Sequence, residues 1–378
     1  MTGPTVRRVL PAQVLEAMTQ PAQVEPVVSW RDTVSTGSLL LDLAISGGRT
    51  RYGGLPGGIL VEVFGMPSTG KTTILAETIG NAQRLGGEVR IKDPEARLDA
   101  AYCELMGVRF DPAWYSCPDT VTDVVEGVIG PLVVSGQRTK RDTSLAWCPD
   151  LSHINVEAVD SLAALSTRLE MESGDKMGQR RAKEFSEGMR LVCRHIQKHN
   201  ILFLCSNQVR ENVEGFGESY KSPGGMAIPF YSSCRVRLRE TGKLRYEVAA
   251  GKIKEQRPYG VEVEAYVYKS SLDAPYRTAL LRIIYGYGID DIGANLQWLK
   301  DRGAWVGNGG ISAVPDTSYA VGGKRFRSLE RAVKAAEEGG LEVEIREQVV
   351  ALWQKIEGLL PKRQPKRRLC STGVNHPR

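Results

Sequence analysis

Residues 64 to 73 read FGMPSTGKTT, and this short stretch limits what the chain can fold into more than any other. The run before it, ILVEVFG (59 to 65), is apolar and β-branched and has the length of a buried strand. The run after it, KTTILAETIGNAQRLGG, has apolar residues at helical spacing (Ile74, Ile79, Ala82) and stops at Gly86-Gly87. Strand, glycine-rich turn and helix in that order give the context in which Gly65, Gly70, Lys71 and Thr72 complete G-x-x-x-x-G-K-[ST]. Glycines let backbone N–H groups curl around anionic oxygens, and the helix N-terminus adds partial positive charge. Pro67, Ser68, Thr69 and Thr73 complete the nucleotide-binding loop, with Lys71 expected on the β- and γ-phosphates of ATP and Thr72 on Mg²⁺.

Other features bound the class. With 378 residues, 42% apolar, the chain can bury one large core and a smaller satellite. No apolar run approaches the ~20 residues of a membrane span, and the N-terminal segment lacks a secretory pattern, so a cytoplasmic protein is expected. The seven cysteines form no C-x-x-C pair and read as reduced thiols serving as small core residues rather than a metal or disulfide framework. The net charge of +6 lies in the last 17 residues: Lys362, Arg363, Lys366, Arg367, Arg368 and Arg378 stand there without an acid, leaving 44 basic and 44 acidic residues before them. Such a basic, proline-containing tail is expected to be disordered and either to attract phosphate or simply to solubilise.

Three further strand ends carry chemistry. HINVEAVD ends at Asp160, a carboxylate suited to the Mg²⁺ shell. EVRIKDPEARLD offers Asp93, Glu95 and Asp99 just after a strand, and Glu95 is the candidate base for the attacking water. ILFLCSNQVR turns polar at Asn207 and Gln208, where an amide can sense a γ-phosphate. It is followed by about 17 residues without helical or strand period (211 to 227), a length usually reserved for functional loops.

Taken in order, STGSLLLD (35 to 42), GGLPGG (53 to 58), GMPSTGKTT, IKDPEARLDAAY (91 to 102), CPDT (117 to 120), AVDSLAAL (158 to 165), GDKMG (174 to 178), SNQVR (206 to 210), SPGGMAIPFYSSCRVRL (222 to 238) and IIYGYGID (283 to 290) resemble the bacterial RecA recombinase family. The resemblance spans about Val34 to Val306. It implies a filament on single-stranded DNA, with ATP between neighbouring subunits, that pairs the strand with a homologous duplex. By position in the motifs it implies Lys71, Glu95, Gln208 and Lys269 as catalytic groups, Asp160 with Thr72 on Mg²⁺, and Asp99 and Tyr102 against adenine. It implies Met177 as a wedge between bases in a first DNA loop, and Val213, Phe216, Gly224 and Gly225 in a second. Ser186 and Arg190 fall on backbone contacts, and Phe230 on an interface aromatic. Arg181 and Arg210 belong to a basic group around both loops, as binding without sequence preference needs.

Departures from the family pattern are equally specific. Pro67 stands where an acid is usual, and Ser271 stands where a second interface lysine would follow Lys269, so slower hydrolysis is expected. SGGRTRYGGLPGG (46 to 58) and SGQRTKRDTSLAWCPD (135 to 150) are longer than the family stretches, and their basic residues are either DNA contacts or, as favoured, plain surface. The basic tail replaces an acidic one. Together these resemble a divergent member such as a virus-encoded recombinase.

The expected architecture is α/β: a phosphate-loop ATPase core with a central, mostly parallel sheet over residues 34–285. An N-terminal arm (1–33), a small C-terminal α/β accessory domain (286–361) and a basic tail (362–378) complete it. The expected activity is DNA-dependent ATP hydrolysis driving strand exchange, with single- and double-stranded DNA and further copies of the chain as partners and no membrane. Two other readings stay open: a ring-forming ATPase or helicase of the same core fold, which would lack GDKMG and the Gly224-Gly225 loop, and a DNA-coating scaffold with a slow ATPase.

Overall fold

The computed structural model describes residues 32–135, 138–167, 178–211, 220–221, 227–250, 253–307, 310–313 and 318–360. The expected N-terminal arm, most of both DNA loops and the basic tail lie outside them. Nine strands form one sheet in the order β13-β12-β11-β10-β1-β7-β6-β2-β3. These are β1 (Leu60–Gly65), β2 (Val89–Lys92), β3 (Tyr115–Ser116), β6 (Asn155–Val159), β7 (Ile201–Gln208), β10 (Cys234–Ala250), β11 (Ile253–Ser270), β12 (Thr278–Ile284) and β13 (Gly288–Ile289). From β10 through β1 to β3 every pairing is parallel; β10 to β13 are antiparallel. The hairpins β4 (Leu132–Ser135) with β5 (Arg138–Arg141), and β8 (Arg210–Glu211) with β9 (Tyr220–Lys221), stand apart from this sheet.

β1 and β7 are apolar along almost their whole length because both faces of the sheet are covered. One face packs α1 (Leu39–Ser46) and α2 (Lys71–Arg84); the other packs α4 (Val121–Ile129), α5 (Gly178–Lys198) and α6 (Ala227–Tyr231), while α3 (Ala100–Leu105) follows the turn after β2. The C-terminal helices α7 (Asp291–Asp301), α8 (Leu329–Glu338) and α9 (Glu342–Leu359) close on the first of these clusters, so that Trp298, Val349 and Trp353 belong to the same apolar body as Leu41 and Ile74. Asp291 fixes that junction: its carboxylate accepts from the Leu39 backbone N–H at 2.8 Å and from Arg346 at 2.7 Å.

The basic insertion at 46 to 58 is tied to distant parts of the chain. Arg51 Nη2 lies 2.5 Å from the Glu347 carboxylate on α9, the Tyr52 hydroxyl donates to the same carboxylate, and Arg49 pairs with Asp273 at 3.7 Å. The second insertion carries the β4–β5 hairpin and then Trp147, which is buried beneath α5. Cysteine usage departs from expectation: Cys103, Cys205 and Cys234 are buried, but Cys117 and Cys148 are exposed, because both sit in connections beyond the sheet. Among the described residues no helix is long and apolar enough to cross a membrane.

Candidate nucleotide site

The loop between β1 and α2 turns twice through the left-handed region, at Ser68 (φ 61°) and at Gly70 (φ 83°). At Gly70 the left-handed backbone disfavours any side chain, and a Cβ there would also come within 2.1 Å of Ile283 Cδ1 and push that side chain aside. Gly70 also gives the helix no side-chain cap, so the first N–H groups of α2 are left for an anion. Thr69 Oγ1 donates back to Met66 O at 2.8 Å and pins the turn. The Lys71 ammonium lies in the curl of the loop, donating to Gly65 O at 3.1 Å and Met66 O at 2.8 Å. Burial lowers its pKa, and the carboxylates of Asp160 and Glu95 pull the other way.

Strand tips bring the acids to this loop. Asp160 follows β6 directly; Thr72 Oγ1 donates to its Oδ2 at 2.6 Å and the Ser206 hydroxyl donates to its Oδ1. After β2 the chain reverses around Asp93, whose buried carboxylate accepts from the N–H groups of Arg97 (2.8 Å) and Leu98 (2.7 Å) and from the Tyr115 hydroxyl (2.9 Å). That turn aims Glu95 at the cleft. Its Oε1 accepts from Ser161 Oγ at 2.8 Å and from Gln208 Nε2 at 3.1 Å, and its Oε2 lies 3.2 Å from Arg97 Nη1. Pro67, Ser68, Lys71, Thr72, Asp93, Glu95, Arg97, Leu98, Asp160, Ser161 and Gln208 together line a solvent-open cleft of about 230 Å³. A hydroxyl–carboxylate pair, an ammonium and uncapped N–H groups form a donor set that suits a magnesium-bound triphosphate.

Other residues expected here lie further off. Thr73 is buried behind the loop with its hydroxyl 2.7 Å from that of Tyr102, while Asp99 caps α3 through the Ala101 N–H at 2.9 Å; none of the three lines the cleft. Lys269 and Phe230 sit together elsewhere. The lysine donates to the carbonyls of Pro229 (2.8 Å) and Phe230 (2.9 Å), and the Phe230 ring is 72% exposed. Burial lowers the Lys269 pKa, the Arg235 charge adds to this, and Glu62 opposes it. Ser271 Oγ donates to Ser233 O at 3.0 Å. On α5, Ser186 is half-buried and Arg190 exposed. The side chains of Arg181 and Arg210, and all of Met177, Val213, Phe216, Gly224 and Gly225, lie outside the described residues.

Ser161, Ser206 and Arg97 were not foreseen as partners of the two acids. Ser161 adjoins Asp160 and Arg97 adjoins Glu95 in sequence, but only the register of β6 against β7, in which Val159 faces Cys205, brings Ser206 beside Asp160. A buried charged group also lay unread in the strands: Glu62 on β1 accepts from Arg235 Nε at 2.5 Å and from Asn207 Nδ2 at 2.9 Å.

The RecA N-terminal domain family matches residues 23–290 of this chain. Protein RecA of Methylococcus capsulatus is 33% identical over 288 residues, covering 74% of each chain, and Protein RecA of Delftia acidovorans is 32% identical over 286 residues, covering 73% of this chain and 70% of its own. The crystal structure of the RadB recombinase overlays with a TM-score of 0.45 at 19% identity, covering 68% of this chain and 98% of that one. With a matching family domain over most of its length and relatives a third identical across three quarters of it, this chain belongs to the RecA family.

Proposed function

We propose that the protein is a DNA-dependent ATPase that assembles as a filament on single-stranded DNA and catalyses homologous pairing and strand exchange. The observation that carries this reading is the 3.1 Å contact between Gln208 and Glu95, which joins the tip of β7 to the candidate base. Two residues beyond Gln208 the chain enters β8, which with β9 brackets residues 212–219 of the second DNA loop. A change at the γ-phosphate that takes Glu95 away from Gln208 is therefore felt where that loop begins.

In this reading the uncapped N–H groups of α2 and Lys71 bind the triphosphate of ATP. Mg²⁺, held by Thr72 with Asp160, supplies charge neutralisation at the phosphates. Glu95 orients the attacking water and takes its proton; Ser161 and Gln208 fix the carboxylate, and Arg97 restrains its second oxygen until substrate competes. Lys269 reaches a neighbouring subunit's nucleotide beside Phe230. Single-stranded DNA meets Met177, Arg181, Ser186, Arg190 and Arg210, and the second loop contributes Val213, Phe216, Gly224 and Gly225. Residues 1–33 would dock on the adjacent subunit, 34–285 would form the core, 286–361 would receive duplex and 362–378 would attract it. Such a protein works in the cytoplasm.

Ser271 favours a second reading, a DNA-coating scaffold with slow turnover, because the second interface cation is replaced by a hydroxyl already bonded to its own chain. ATP turnover with and without single-stranded DNA separates the two, and electron microscopy with DNA and a slowly hydrolysed ATP analogue tests both. Regular filaments with DNA-stimulated turnover are expected; a protein that stays monomeric beside nucleotide and oligonucleotide would refute the proposal.

A further inference from the structure

The second insertion, which contributes nothing to the nucleotide cleft, ends against α5 in a cluster of metal-binding side chains. Trp147 drops into the apolar layer beneath the helix, its backbone N–H donating to Val128 O at 3.0 Å, and this leaves the next residue, Cys148, at the rim. Facing it are His195 on the last turns of α5 and His199 in the turn that ends it, with their rings 4.4 Å apart. The ligand atoms of Cys148, His195 and His199 all lie within 4.8 Å of one another. These two are half of the chain's four histidines, and they meet one of the two exposed thiols among the described residues.

The separations discriminate between ions. For zinc, a thiolate bond of ~2.3 Å and an imidazole bond of ~2.0–2.1 Å at the tetrahedral angle give a sulfur-to-nitrogen edge of about 3.6 Å. Cys148 Sγ and His199 Nε2 are 3.6 Å apart. His195 Nε2 lies 2.7 Å from the Trp147 carbonyl oxygen, in the arrangement by which a metal-bound histidine gives its other N–H to backbone and so holds its tautomer. His195 is buried, His199 half-buried and Cys148 exposed, so a fourth ligand position faces solvent. One thiolate and two imidazoles select zinc or a similar borderline ion over magnesium or calcium, which take oxygen.

We propose that Cys148, His195 and His199 form a zinc site that ties the second insertion to the C-terminal end of α5, with water as the fourth ligand. With all three ligand atoms already within 4.8 Å of one another, closure to the edge lengths above needs a shift of no more than about 1–1.5 Å, a side-chain adjustment. Binding displaces the thiol proton to solvent, and nothing is oxidised or reduced. The site lies apart from the nucleotide cleft and does not depend on the function proposed above.

Cobalt(II) titrated into the reduced full-length protein is the direct test. One equivalent is expected to produce a thiolate-to-cobalt charge-transfer band in the near ultraviolet and the intense visible bands of a tetrahedral ion, and one equivalent of zinc is expected to bleach both. Cys148→Ser abolishes the charge-transfer band. It and His199→Gln each weaken zinc binding by more than the ~10–100-fold that loss of an outer-shell partner costs. Cys117→Ser and Cys370→Ser leave the spectra unchanged, and circular dichroism checks that every variant is folded. Absence of tetrahedral bands in the unaltered protein, or bands that survive Cys148→Ser or His199→Gln, would overturn the proposal; the 3.6 Å contact would then be a plain thiol–imidazole hydrogen bond.

Discussion

Replacing Arg235 by methionine tests how the sheet carries charge through its middle. Glu62 and Arg235 face each other across the parallel pair β1 and β10, with side chains 0% and 6% exposed and 2.5 Å between Oε2 and Nε. The guanidinium also lies over the rings of Phe64 (4.6 Å) and Tyr268 (5.4 Å). Methionine keeps much of the stem's packing but strands the carboxylate in the sheet. Breaking a buried pair from one side costs about 3–5 kcal/mol, most of it the desolvation of the group left behind. At ~2–4 °C per kcal/mol for a domain of this size, the melting midpoint should fall by about 10 °C.

Glu62→Gln added to Arg235→Met removes the stranded charge yet leaves Asn207 a carbonyl to donate to. That double variant should regain about 2–3 kcal/mol over Arg235→Met alone, within the range of coupling seen between contacting residues. Urea midpoints and thermal melts of all four members of the cycle give the coupling directly. If Arg235→Met costs less than ~1 kcal/mol, or the double variant is as unstable as the two singles added, desolvation of Glu62 is not what the pair relieves.

Further outcomes follow from the cleft and its surroundings. Glu95→Gln keeps the hydrogen-bonding shape but not the base, so phosphate release should fall at least ~100-fold while nucleotide affinity stays close to that of the parent protein; unchanged turnover discards the role. Ser271→Lys should raise DNA-stimulated turnover about tenfold, short of the ~10³-fold that a well-placed trans cation contributes, and an unchanged rate removes the explanation offered for slow hydrolysis. Burial pushes Glu157 up to about 7, against the opposing charges of Lys92 and Arg90. Because that folded-state value lies above the ordinary 4.5, the native state holds the proton more tightly. The contribution is therefore fully present below about pH 4.5 and lost as pH rises towards 7, by up to about 3 kcal/mol. Urea midpoints between pH 5 and 8 should lose that part of their slope in Glu157→Gln, and an unaltered slope assigns it elsewhere. Deleting residues 362–378 should weaken duplex capture and flatten its salt dependence, and equal binding at every salt concentration refutes a role for the tail.

The half of the sheet that makes the nucleotide cleft was legible because its strands are apolar runs that end abruptly in polar residues: Gly65, Asp160 and Gln208 each mark a tip. Its antiparallel half was not. β10 and β11 run together for most of their length, with register shifts near Arg235, Gly242 and Arg245, and their outer parts from Arg245 to Glu247 and from Lys254 to Pro258 are exposed. Charges on both faces there erase the alternation that marks a half-buried strand. The C-terminal helices showed their periodicity but not their partner, since an apolar stripe does not say which body covers it. Trp298 stacks against Trp353 at 6.0 Å and both join the core that covers one face of the nine-stranded sheet. Pairings distant in sequence, such as Arg51 with Glu347 or Cys148 with His199, are consequences of the fold and carry no local signal.

Lys269 links the two halves of the sheet in a way that bears on hydrolysis in the proposed filament. Its ammonium is already satisfied by two carbonyls at the end of α6, so reaching a neighbour's phosphate means exchanging both of those hydrogen bonds. α6 begins at Ala227, two residues after Gly225 of the proposed second DNA loop in sequence, and the same short helix presents the exposed Phe230. Whatever shifts α6 therefore shifts both the interface ring and the carbonyls that hold the lysine. Behind it, Arg235 pairs in register with Lys269 and bonds Glu62, which bonds Asn207, the residue before Gln208. Asn207, Glu62 and Arg235 thus lie, as bonded neighbours across β7, β1 and β10, between Gln208, the proposed γ-phosphate sensor, and Lys269, the proposed interface cation. In the proposed filament, with Ser271 bonded to its own chain, release of Lys269 from α6 is expected to limit turnover. Substituting Lys269 by arginine, whose wide planar fork suits two backbone carbonyls poorly, should then change turnover more than it changes nucleotide affinity. Equal changes in both would mean that the carbonyl contacts do not gate the cation.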